Sequence, residues 1–421
     1  MARNGKVTYK GKNVVLTTDF DNGGLARIEE NEADVFDCWP YDESEYGTDN
    51  LFIARSDDSG ILDEACFCFH LCVENCKDRA IRLRFHVKEQ TRTCGGTLLY
   101  ANPDFPVCSY DGNTWMRMKN KHLYDDPAME HGKIVEVEIC SADDRMFLSY
   151  QYPYSNDHLD RYANAISTSA FCRVEKIGCS TEGRDIKEIV ITDEAIPTAG
   201  KRIACFIGLQ HCAELGAGWG LEGMADFLLS SDPLATAVRQ EYIFRIIPMI
   251  NVDAVSEGRG RIHGTGRNLN REWERSGALS EAASIRASFD AWAAAGEGID
   301  LFIDFHGFSV AEDKNWSFLV MPEGTYKESQ AEEYQRLISS LREQLPAAMF
   351  TPHEQPGHAA GMAARRYGSL ALTVDSYVYR WADEGVIPDL SSYYRYGSEI
   401  WSLEDIKACG RLITKALMAL A

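Results

Sequence analysis

The sequence predicts an α/β domain, a mixed central sheet flanked by helices, preceded by an all-β sandwich domain. Three observations carry this. Residues up to about Tyr150 run in short alternating segments broken by turn signals; from Arg173 onward apolar strands alternate with helix-period segments; and no internal repeat, low-complexity tract or long linker interrupts either texture. The junction falls near Tyr152-Pro-Tyr-Ser-Asn156, which sets the expected domains at 1–152 and 153–421.

In the first domain the strands expected are Val7–Tyr9, Asn13–Thr17, Ala80–Val87 and Ile134–Ile139, with turns at Asp21–Gly24, Cys94–Gly96 and Asp111–Asn113. Ala65–Val73 alternates with period two and reads as a strand with Phe67, Phe69, Leu71 and Val73 on its core face. Cys66, Cys68, His70, Cys72 and Cys76 look like a metal cluster, but at about 3.3 Å per residue Cys66 and Cys72 stand roughly 20 Å apart, so the group reads as structural.

In the second domain the strands expected are Glu188–Thr192, Ile203–Ile207, Tyr242–Ile247, Leu301–Phe305 and Leu370–Val374. The helices expected are Leu221–Leu229, Leu279–Ala295, Ser329–Leu345 and Leu403–Met418.

The 421 residues are enough for two or three domains, and the apolar share of 45% is that of a globular protein. With 43 basic against 64 acidic side chains the net charge is −21, which argues against nucleic acid and anionic membranes as partners. No run approaches the ~18 apolar residues of a spanning helix, and Met1–Thr8 has no apolar signal core. Thirteen cysteines without a secretory signal point to reduced thiols and a cytoplasmic location.

The chemistry centres on His211 and Glu214, three apart in the turn between the strand ending at Gly208 and a helical pattern from Met224. An imidazole and a carboxylate there are two of the three protein ligands of a catalytic zinc. His306 follows the apolar strand Leu301–Phe305, at the strand end where α/β sheets place ligand groups, and completes a two-His, one-carboxylate set with a position open for water. Between them runs an Arg-rich glycine loop, Gly258–Trp273, whose guanidinium forks suit a carboxylate or an oxyanion. His353-Glu-Gln-Pro-Gly-His358 mimics a zincin helix, but its spacing is one residue too long and its Pro-Gly forbids the helix.

At these residues the chain resembles the zinc carboxypeptidases of the carboxypeptidase A superfamily, and within them the cytosolic carboxypeptidase branch with its N-terminal β-sandwich. Asp19–Leu25, Pro106–Trp115, Tyr152–Leu159 and Ile177–Arg184 are similar to signatures of that branch, so the likeness spans most of the chain. The resemblance implies one zinc per chain on His211, Glu214 and His306. It implies Asn270 and Arg271 as the binders of a substrate's C-terminal carboxylate, and Arg261 as the group that polarises the scissile carbonyl. The activity implied is that of a zinc-dependent metallocarboxypeptidase, hydrolysing the C-terminal peptide bond of peptides or proteins through a zinc-activated water.

The departures are specific. Where the family has a catalytic Glu, this chain offers Asp375, one methylene shorter, which reads either as the general base or as a structural cap. Asn268 stands where the family often has an Asp that orients the first zinc His. Tyr367 and Tyr377 are candidates for the family's substrate-binding Tyr, with His353 or His358 as substitutes. Two other readings stay open: a zinc N-acyl-amino-acid deacylase of the aspartoacylase type, and a degenerate homologue that binds C-termini without cutting them.

Overall fold

The computed structural model describes residues 6–41, 68–88, 106–118, 121–129, 132–306, 317–322, 325–346, 348–352, 357–375 and 402–420. The chain divides into two compact units, Met1–Asn156 with His211–Ala213 and Asp253–Asn268, and Asp157–Gln210 with Glu214–Val252 and Leu269–Ala421.

The first unit contains two sheets, as alternating sequence over this region dictates. One has six strands in the order β1 (Thr8–Lys10), β2 (Val15–Thr17), β5 (His70–Glu74), β11 (Arg145–Ser149), β7 (Val107–Ser109), β8 (Met116–Arg117). The other has five, in the order β3 (Arg27–Glu32), β4 (Val35–Trp39), β6 (Ala80–Lys88), β10 (Gly132–Cys140), β9 (Lys121–Asp125). Leu16, Phe36, Leu71, Val73, Leu83, Phe85, Val135, Val137 and Leu148 are buried, and Phe69 stacks on Phe85 with ring centroids 3.7 Å apart. The simple alternation expected around β5 does not hold: Cys68, His70 and Cys72 are buried along with Phe69, Leu71 and Val73, so both faces are covered. Cys66 and Phe67 lie outside the described residues.

The Asp253–Asn268 segment, which the sequence places after the junction, belongs to this unit through backbone contacts. Asn22 Nδ2 donates to Val255 O at 2.9 Å and Lys6 Nζ to Ser256 O at 2.6 Å. Gly24 and Gly258 touch backbone to backbone: a Cβ on Gly258, at φ +69°, would meet Gly23 O at 2.6 Å. Only glycine allows both that φ and that approach. Gly258→Ala is expected to lower stability by roughly 1–3 kcal/mol through backbone strain alone. A urea midpoint equal to that of the unchanged chain would contradict this.

The second unit is built on an eight-stranded mixed sheet. Its order is β12 (Cys172–Cys179), β13 (Asp185–Ile191), β15 (Tyr242–Ile247), β14 (Arg202–Gly208), β16 (Leu301–Phe305), β19 (Leu370–Asp375), β17 (Ser317–Val320), β18 (Met349–Pro352). The central strands β15, β14, β16 and β19 are parallel, whereas β12–β13, β13–β15 and β17–β19 pair antiparallel. All five residues of β16 are buried, as expected of a strand covered on both faces.

Among the described residues the α-helices are α1 (Asn156–Ile166), α2 (Gly216–Leu229), α3 (Pro233–Glu241), α4 (Val252–Glu257), α5 (Ser280–Ala294), α6 (Ala331–Gln344), α7 (Ala359–Tyr367) and α8 (Leu403–Ala416). Helix α2 starts five residues earlier than its apolar pattern suggests, because its glycines serve packing: a Cβ on Gly410 of α8 would lie 1.9 Å from Gly220 O. No helix among the described residues is long and apolar enough to cross a membrane.

Candidate metal centre

Three neighbouring parallel strands end together. Gly208 of β14 is in register with Phe305 of β16, Phe305 with Val374 of β19, and His306 N donates to Val374 O at 2.8 Å. The chain leaving these ends carries Gln210 and Glu214, His306 and Asp375, the position where open α/β sheets gather reactive groups. The exit from β14 is strained. Leu209, fully buried, sits at φ +52°, a region that non-glycine residues seldom adopt.

His306 is buried between two carboxylates. Its Nε2 lies 2.9 Å from Asp304 Oδ2 and its Nδ1 2.9 Å from Glu214 Oε2. Burial works against charge on the ring, but Asp304 and Glu214 outweigh it and hold the His306 pKa well above the ordinary imidazole range. Asp304 is anchored in turn: Gln210 Nε2 donates to its Oδ2 at 2.6 Å, and Trp273 Nε1 donates to Gln210 Oε1 at 2.6 Å. Neither Asp304 nor Gln210 stands out in the sequence reading. The available signal was the period of a strand, which puts Asp304 and His306 on one face.

His211 is oriented by groups of the glycine loop. Asn268 Oδ1 lies 3.1 Å from its Nε2, in the place where the family's Asp was expected, and Arg261 Nη1 lies 3.2 Å from its Nδ1. Ala213 N donates to Gly260 O at 2.5 Å, which ties the two segments together.

One ligand atom from each of His211, Glu214 and His306 lies within 4.8 Å of the others, and all three residues are buried. Nε2 of the two rings faces Asn268 or Asp304 and Nδ1 faces Arg261 Nη1 or Glu214 Oε2, so His211 presents Nδ1 to an ion only once the Arg261 guanidinium withdraws from it. A tetrahedral zinc with bonds of about 2.0–2.1 Å separates its ligand atoms by roughly 3.3 Å, so this donor set fits zinc after a small contraction. The Asp304 and Asn268 contacts are the outer partners that metal-bound imidazoles need. Asp253, His263 and Glu281 also come within 4.8 Å of one another. There, however, His263 Nδ1 accepts from Thr265 N at 3.1 Å, while Glu281 accepts from the amide and hydroxyl of Thr181 at 2.9 and 3.0 Å. Glu281 is thereby committed to Thr181, and the His263 nitrogen on the Asp253 side is Nε2, 3.7 Å from Asp253 Oδ2.

Asn270 and Arg271 follow in a single 3-10 turn, Leu269–Arg271. Asn270 Nδ2 lies 3.1 Å from His306 Nε2, and Asn270 Oδ1 accepts from Ala359 N at 3.1 Å. Arg271 Nη1 donates to Asn270 O at 2.9 Å and to His358 Nε2 at 2.6 Å. The Tyr367 hydroxyl donates to Asp290 at 2.8 Å, which commits it to helix packing. Arg365 and Arg366 pair in two-point fashion with Glu274 and Asp290 on the exposed side of α7. Asp375 closes β19; its side chain, like His353 and Tyr377, lies outside the described residues.

Residues 159–335 match the zinc carboxypeptidase family. The chain is 29% identical to mouse (Mus musculus) cytosolic carboxypeptidase 6 over 270 residues, 61% of this chain and 46% of that one. It is 30% identical to zebrafish (Danio rerio) cytosolic carboxypeptidase 1 over 187 residues, 41% of this chain and 16% of that one. It thus spans less than half the length of either relative. In fold it is similar to a metallo-carboxypeptidase from Burkholderia cenocepacia, with a TM-score of 0.72 at 21% identity over 96% of this chain and 98% of that one. A metallo-carboxypeptidase from Pseudomonas aeruginosa, solved in complex with (2-guanidinoethylmercapto)succinic acid, matches with a TM-score of 0.68 at 20% identity over 96% and 98%. Over residues 159–335 this chain is thus similar to the zinc carboxypeptidases, and its relatives include the cytosolic carboxypeptidases.

Proposed function

We propose that this chain is a zinc-dependent metallocarboxypeptidase that removes the C-terminal residue of a peptide or protein. The observation that carries the reading is the convergence of His211, Glu214 and His306, the two imidazoles each against a buried neighbour, Asn268 or Asp304. These residues would hold one zinc ion, which supplies Lewis acidity at a carbonyl oxygen and lowers the pKa of water.

The roles of the chain's own residues follow from their chemistry. Arg271 takes the free carboxylate of the substrate through its guanidinium fork, with the Asn270 amide beside it. Arg261, close to His211 in the glycine loop, offers N–H donors to the oxygen on which charge develops in the tetrahedral intermediate. Asp375, at the end of β19, takes a proton from water and returns it to the leaving amine. Asp304 and Asn268 fix the imidazole tautomers. The domain limits 1–152 and 153–421, and action on chain ends in the cytoplasm, belong to the same reading.

The test is mass spectrometry of peptides incubated with zinc-loaded protein. Peptides with a free C-terminus are expected to lose single C-terminal residues, while their amides stay intact. Loss from both, or from neither, overturns the proposal; turnover of N-acyl amino acids alone would assign a deacylase instead.

A further inference from the structure

The turn that opens α7 is fastened to the segment carrying Arg271. Trp273 N donates to Gly357 O at 3.3 Å, Gly357 N to Glu274 Oε2 at 3.1 Å, and Ala359 N to Asn270 Oδ1 at 3.1 Å. Gly357 adopts φ +82°, and a Cβ there would come within 2.8 Å of Arg271 O. Glu274 is itself gripped by Arg365 at 3.0 and 2.8 Å. His358, the residue before α7, is therefore held at a fixed place beside Arg271.

The contact between them has one chemical solution. A guanidinium only donates, so His358 Nε2, 2.6 Å from Arg271 Nη1, accepts. The His358 ring is then neutral, with its proton on Nδ1. Nη1 carries two hydrogens, and the second goes to Asn270 O at 2.9 Å. Two acceptors on one nitrogen fix the plane of the guanidinium, which an arginine otherwise samples through several rotamers. A carboxylate in place of His358 would hold the fork too, but it would neutralise the charge that a substrate carboxylate needs. A neutral imidazole orients Arg271 and leaves its charge intact.

We propose that His358 is the positioning residue of the carboxylate clamp: it sets the plane of the Arg271 guanidinium for the C-terminal carboxylate of the substrate. This rests on the carboxypeptidase reading above, in which Arg271 is the clamp.

The test compares the unchanged chain with Arg271→Ala, His358→Ala, His358→Gln and His358→Asp, all zinc-loaded. Dissociation constants are measured for a peptide with a free C-terminus and for its amide, with kcat and KM on the free acid. The unchanged chain is expected to prefer the acid by tenfold or more, about the value of one charge-assisted hydrogen bond, and Arg271→Ala to lose that preference. His358→Ala is expected to reduce the preference about tenfold and raise KM to match, with kcat within about threefold. His358→Gln, whose Oε1 can accept from Arg271, recovers most of it, while His358→Asp does not, because it pairs with the fork. The last two carry the test should the Ala variant fail to fold. If His358→Ala and His358→Asp keep the full acid preference while Arg271→Ala loses it, the inference is overturned and the clamp stands. If the unchanged chain shows no acid preference, the carboxypeptidase reading fails and takes this inference with it.

Discussion

His306→Ala is expected to lose the bound ion and to cut kcat/KM by roughly a thousandfold or more, the several kcal/mol that a Lewis acid contributes to such a transition state. On the proposed assignment the substitution removes one of three protein ligands. It also leaves the buried carboxylates of Asp304 and Glu214, each 2.9 Å from the ring, without the imidazole between them. The same geometry sets a pH dependence. Burial lowers the His306 pKa, Asp304 and Glu214 together raise it by more, and the balance lies well above the ordinary range. In the metal-free protein the ring is therefore protonated, and a cation must displace that proton. Apparent zinc affinity rises with pH, about tenfold per unit while one proton is displaced, and levels off once the ring is neutral without the ion. Zinc titrations at three pH values check this. An affinity that is flat, or that falls as pH rises, contradicts it, as does a His306→Ala protein that retains stoichiometric zinc and full turnover.

Asp375→Ala is expected to lower kcat by about 10²–10⁴-fold with little change in KM, the usual weight of a positioned acid–base group. Asp375 ends β19 one residue beyond Val374, whose carbonyl accepts from the His306 amide, so its backbone reaches the same sheet end as His306. Asp375→Glu asks whether the shorter arm is matched to this site. A higher kcat means that the extra methylene improves reach, and a lower one that the backbone and water are already spaced for Asp; a shift of about 1 Å is enough for a large effect. An Asp375→Ala protein within about threefold of normal kcat/KM would remove this residue from the reaction.

Much of the fold was legible because its signals are local. The run Leu301–Phe305 is apolar throughout and forms β16 with those bounds, and Tyr242–Ile247 forms β15 in the same way. The shorter helices were not. In α7 the sequence is mostly Ala and Gly with two Arg, so its buried side, Ala359 to Ala364, shows no strong apolar stripe. In α3 the start depends on a cap, Asp232 accepting from Leu234 N at 2.8 Å, next to Pro233.

The candidate site divides in the same manner. His211, Glu214 and His306 were readable because side-chain type and strand-end position coincide. Asp304 was hidden inside an apolar strand, and His358 inside a motif set aside for its Pro-Gly. Helix α7 starts only at Ala359, after Gly357 at φ +82°, and His358 stands beside Arg271. The grouping of residues 253–268 with the first unit rests on glycine backbones meeting across more than two hundred residues of sequence, for which periodicity gives no signal.

The most direct measurement is the zinc-edge X-ray absorption spectrum of the purified protein, unchanged and as His211→Ala. One zinc per chain is predicted, with only nitrogen and oxygen neighbours at about 2.0–2.1 Å and the scattering pattern of two imidazoles, lost in the variant. Zinc bound through sulfur at about 2.3 Å, or bound equally well by His211→Ala, would contradict the assignment of this centre.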